Sequence, residues 1–122
     1  MRLQDVQIIE NEQVIFVDCD DTLVMWDDTF RQPGDNKIEV FDPNDSSNNY
    51  LTPNEKHIDL VKKHKGRGYF VVVWSAAGYA WANSVVNAVK LNDYVDIVMS
   101  KPVKYMDDLT ANEILGTRVY LK

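Results

Sequence analysis

The chain has a single cysteine, Cys19, and therefore no internal disulfide; with only two histidines it also has no ligand set of zinc-finger spacing. That usage fits a reducing, cytoplasmic setting. Five glycines and four prolines among 122 residues are too few for a collagen-like or low-complexity chain. Long apolar runs are missing too. The longest, Tyr69 to Trp74, falls far short of a membrane span, and the opening MRLQDVQIIENE carries charge where a signal peptide needs an apolar stretch. The expectation is a protein that is neither exported nor held at a membrane. Positive charge is scarce: 13 Lys and Arg against 19 Asp and Glu leave a net charge of −6, a field that repels phosphate backbones and anionic lipids. Nonspecific nucleic-acid binding is thereby disfavoured.

What is present is ordinary globular material, 45% hydrophobic and 26% charged, in an amount that suits one domain with one core. Val14 to Val17 reads as a buried strand ending in an acidic cluster, and Val6 to Ile9 as an extra edge strand before it. Trp26-Asp27-Asp28 and the alternating Lys37 to Phe41, separated by Pro33-Gly34-Asp35-Asn36, suggest a hairpin, followed by a polar loop from Asp42 to Asn49. Thr52-Pro53-Asn54-Glu55 predicts a helix start, with Thr52 as N-cap, Pro53 at the first position and Glu55 completing a capping box. Ile58, Leu60 and Val61 form that helix's buried side, its histidines His57 and His64 fall on the surface, and Gly66 or Gly68 stops it.

Tyr69 to Trp74 is the second buried strand. Gly78 opens a helix in which Trp81, Val85, Ala88 and Val89 recur on one packed face. Val95 to Met99 is a third strand, Val103 to Met106 a short apolar segment, Leu109 to Leu115 a short helix, and Arg118 to Leu121 a final strand. Strands separated by helices predict an α/β fold: a Rossmann-like, three-layer domain with a mainly parallel sheet and helices on both faces.

In such a sheet the chemistry gathers beyond the carboxyl ends of the strands. There the sequence has Asp18-Cys19-Asp20-Asp21-Thr22-Leu23, then Ser75-Ala76-Ala77-Gly78, then Ser100-Lys101-Pro102, then Asp107-Asp108. Acid, hydroxyl, cation and acid at one rim are the parts needed to handle a phosphoryl group. Carboxylates crowded in this way call for a hard divalent cation, and the all-oxygen donor set selects Mg²⁺ over zinc. One carboxylate can attack phosphorus, and a second, two residues on, can protonate the leaving oxygen. Cys19 has no adjacent base and reads as a small buried filler.

Asp18-x-Asp20-x-Thr22-Leu23 after an apolar strand resembles the first motif of the haloacid dehalogenase (HAD) superfamily, and Ser75, Lys101 and Asp107/Asp108 stand in the order of its second, third and fourth. The resemblance implies a Mg²⁺-dependent phosphatase with Asp18 as nucleophile and Asp20 as general acid/base. It implies metal binding by Asp18, Asp20 through its backbone carbonyl, and Asp107 or Asp108. Ser75 and Lys101, with Thr22 and Ala76 beside them, would bind phosphate. Only five residues separate Lys101 from Asp107, so the helix that often intervenes in the family is missing or reduced and Lys104 is the alternative lysine. The insert over about 24–51 has room for a flap and none for a cap domain. A capless site implies a bulky phosphorylated substrate, such as a macromolecular end, or a homo-oligomer that closes it; a small phosphoester is the other substrate class.

Two other readings compete. Receiver domains of two-component signalling share the length, the acidic pair, a hydroxyl and a lysine, but accept phosphate on an Asp ending the third strand in sequence, which no strand here clearly supplies. An inactive HAD-fold interaction module would require loss of metal binding.

Overall fold

The computed structural model describes residues 9–121. In chain order they form β1 (Val14–Val17), β2 (Val24–Met25), β3 (Ile38–Asp42), β4 (Ser47–Pro53), α1 (Glu55–Gly66), β5 (Phe70–Ser75), α2 (Tyr79–Ala88), β6 (Ile97–Ser100) and α3 (Ala111–Ile114), with a 3-10 turn at Asn92–Tyr94. Apart from Ile9, which is irregular and exposed, the edge strand expected over Val6 to Ile9 lies outside the described residues. No helix among the described residues is long and apolar enough to cross a membrane.

The fold is α/β, built on a parallel sheet of order β1-β5-β6 and a small antiparallel sheet of order β2-β4-β3. Val, Ile and Phe dominate β1 and β5 because branched and aromatic side chains pack well on a pleated surface. Register pairs Ile15 with Val71, Val17 with Val73 and Val73 with Val98, so these five share one face. They meet Ile58 and Val61 of α1 and Trp81, Ala82, Val85 and Val86 of α2 in a single core. Leu23, Leu51 and Leu91 are fully enclosed in it, each contributing roughly 2 kcal/mol of burial.

The expected third layer is not formed by the described residues. The sheet steps twice in one direction, from β1 to β5 to β6, and parallel crossovers are right-handed, so both helices fall on the same side. Covering the second face requires a reversal to the far side of β1. The chain does not make one among the described residues: Val103 to Met106 is irregular and mostly exposed, and Arg118 to Leu121 is irregular rather than a fourth strand. Val14, Phe16, Trp74 and Met99 therefore line an open face, with the Phe16 and Trp74 rings 4.4 Å apart.

Two further expectations are corrected. The hairpin is β3 against β4, turning at Pro43 to Ser46, so Ser47 to Asn49 are strand rather than loop. Asp42 accepts the Asn44 N–H, Asp45 accepts the Ser47 N–H, and Ser46 takes a positive φ of 59°, which is turn chemistry. The N-cap of α1 is Asn54, whose side chain accepts the His57 N–H. Thr52 and Pro53 are held in β4 opposite Met25 and Val24, which displaces the helix start to the next residue able to cap it.

Candidate active site

Three strand ends define one rim. Beyond β1 the backbone folds tightly: the Cys19 carbonyl accepts N–H groups from Thr22, Leu23 and Val24, and Asp21 N donates to Val24 O at 2.7 Å. Asp21 has φ 57°, a left-handed conformation that Asp tolerates better than most residues. This turn presents Asp18, Asp20 and Thr22 together. Asp18 is half-buried; Lys101 Nζ lies 3.1 Å from its Oδ1, and the Thr22 hydroxyl donates to its Oδ2 at 3.2 Å.

Lys101 follows β6 directly, and its backbone N–H donates to the Ser75 carbonyl at 2.9 Å, which fastens the end of β6 to the end of β5. Its ammonium also stands 5.9 Å from the Trp74 ring. Lys101 is thus the lysine beside Asp18. Lys104 is exposed in the segment beyond. Ser75 is fully buried, its Oγ accepting the Ala77 N–H at 3.0 Å, while Ala76 is exposed on the turn. Gly78, at φ 106°, a backbone conformation that side chains rarely adopt, then opens α2, and Tyr79 N donates to Ser100 Oγ.

Asp20 has partners that the sequence reading missed. Trp26 Nε1 and Trp81 Nε1 both donate to its Oδ1, at 2.9 and 3.0 Å. Trp81 is almost wholly buried, and a buried indole N–H usually finds an acceptor, which was the available signal. Trp26 and Phe30 pack against the core with ring centroids 5.2 Å apart. Next to Trp26, Asp27 Oδ1 accepts from Thr29 N, Thr29 Oγ1 and Lys37 Nζ; the Thr29 bonds, reinforced by Lys37, hold its carboxyl below the ordinary range. Asp27 therefore organises the loop rather than facing the rim acids.

Burial, with Asp20 and Asp18 adding to it, pushes the Cys19 thiol up to about 12, so it stays neutral and inert. His57, expected on the surface, is buried. Its Nδ1 is 2.7 Å from Thr22 O and its Nε2 accepts Leu121 N–H at 2.7 Å, tying α1 and the tail to the back of the turn. Tyr120 adds a bond from its hydroxyl to Asp21 O.

Asp107 and Asp108 lie in the irregular segment beyond β6. Asp107 Oδ1 accepts the Leu109 N–H, and both acids are exposed. Among the described residues no three His, Cys, Asp or Glu side chains gather closely enough to hold a metal ion. The donors at the rim suit a hard cation in kind, being all oxygen, but not in number. A surface depression between Ile38, Pro53, Ile58 and Lys90 includes none of the rim residues. In comparisons with family models, curated proteins and solved structures, the chain matches none.

Proposed function

We propose that the chain is a phosphomonoester hydrolase of the HAD type, working through an aspartyl-phosphate on Asp18. The observation that carries this reading is the 3.1 Å pairing of Asp18 with Lys101, from the ends of the two strands that flank β5, with Ser75 buried at the end of β5. An anionic nucleophile and an anionic ester repel, and a cation held against the attacking carboxylate offsets that repulsion. Asp18 forms a bond to phosphorus as the ester P–O bond breaks, and Asp20 gives its proton to the departing oxygen. Water then attacks the aspartyl-phosphate, returning a proton to Asp20, releasing inorganic phosphate and restoring the Asp18 carboxylate. Asp18 and the Asp20 backbone carbonyl would supply only part of a Mg²⁺ shell, water and substrate oxygens having to complete it, and the ion would serve to neutralise charge on the phosphoryl oxygens. The test is turnover of an aryl phosphate with Mg²⁺ and with chelator, in the wild type and in Asp18→Asn. Turnover that needs Mg²⁺ and is lost in the variant supports the reading; equal turnover in both proteins contradicts it.

One observation favours a second reading. Among the described residues no three His, Cys, Asp or Glu side chains gather to form a metal shell, which suits a HAD-fold interaction module without catalysis. Wild-type protein inert towards aryl and alkyl phosphates alike would select it.

A further inference from the structure

The pair of indoles on Asp20 points beyond the assignment of Asp20 as an acid to how it is aimed. A carboxylate oxygen has two lone-pair sites, and an indole N–H can donate but never accept. Trp26 and Trp81 therefore fill Oδ1 between them, at 2.9 and 3.0 Å, and a proton has no place on that oxygen. The two rings lie 5.8 Å apart and brace each other, Trp81 buried in α2 and Trp26 just past β2. One donor is thus fixed to the main core and the other to the insert that carries the small antiparallel sheet.

We propose that Trp26 and Trp81 are positioning residues that clamp Oδ1 of Asp20, so that proton exchange with the leaving group runs through Oδ2 alone. This rests on the hydrolase reading. Fixing one oxygen removes the carboxyl's rotational freedom about its last bond, and placement of a reacting group is among the larger contributions to catalysis. Trp26 makes the clamp conditional on the insert's position, because an insert that shifts away takes one of the two donors with it.

The experiment compares two esters with Trp26→Phe, Trp81→Phe and the double variant, which keep an aromatic ring and lose the N–H. An alkyl phosphate needs its leaving oxygen protonated, whereas a nitrophenyl phosphate does not. The clamp predicts that kcat/KM, which reports only the steps up to the phosphoenzyme, falls on the order of tenfold to a hundredfold for the alkyl ester and by less than about threefold for the nitrophenyl ester. Equal losses of kcat/KM on both esters, or none on either, overturn it. A wild type that turns over neither ester removes the hydrolase reading and the catalytic role with it. The clamp itself is read without turnover from the two indole N–H resonances, which both shift in Asp20→Ala; if either stays in place, the double clamp is wrong.

Discussion

His57 Nδ1 lies 2.7 Å from the Thr22 carbonyl oxygen, which joins α1 to the turn that presents Asp18 and Asp20. A carbonyl only accepts, so Nδ1 carries the ring proton and Nε2 is left to accept Leu121 N–H. Replacing His57 by Ala leaves a half-buried carbonyl and an exposed tail N–H without these partners, at a cost of about 1–2 kcal/mol. Urea denaturation is expected to show that loss for His57→Ala and a smaller one for His57→Asn, whose amide N–H can reach the same carbonyl. Equal stability of the Ala variant and the wild type would mean the histidine does not hold the turn.

Cys19 offers a probe of the same turn. Its thiol is enclosed and pushed up to about 12 by burial and by Asp20 and Asp18, so the thiolate is negligible at neutral and mildly alkaline pH. Native protein is expected to resist an alkylating reagent and to react promptly once unfolded in urea. Rapid labelling of native protein would show the turn to be open.

Asp96 accepts Lys65 Nζ at 2.7 and 2.9 Å and Val71 N at 2.8 Å, linking the end of α1 to the approach to β6. Burial acts to raise its carboxyl, but the bonds from Lys65 and Val71 outweigh it and the net direction is down. A depressed carboxylate stabilises the fold fully above its unfolded value of about 3.9, and that contribution is lost as pH falls through the lower folded value. Asp96→Asn is expected to cost about 1 kcal/mol at neutral pH, solvent screening keeping it small, and the difference from wild type should vanish in strong acid. A difference that persisted unchanged at low pH would assign the loss to packing instead of charge.

The parallel sheet was legible because its strands are short runs of apolar, mostly β-branched residues, each followed by polar residues that mark its carboxyl end. That is also why Asp18, Ser75 and Lys101 could be named. What stayed hidden depends on contacts between distant segments. Ser47 to Asn49 look like loop by composition, yet they pair with Val40 to Asp42, and Asn49 is buried in that pairing. Thr52 and Pro53 make a good cap locally and are taken by β2 instead. His57 and the two tryptophans act on the turn from other elements, and side-chain periodicity reports which face is buried without saying which polar tip it meets. That the described residues form no third layer follows from strand order, which spacing along a chain does not give.

The central claim is a covalent intermediate on one residue, and acid quenching during turnover of an aryl phosphate, followed by borohydride reduction and peptide mapping, tests it directly. Reduction converts an aspartyl-phosphate to homoserine, so the account predicts homoserine at position 18, absent without substrate and absent in Asp18→Asn. Ester hydrolysis that proceeds with no modification at position 18, or with the modification at another carboxylate, would contradict it.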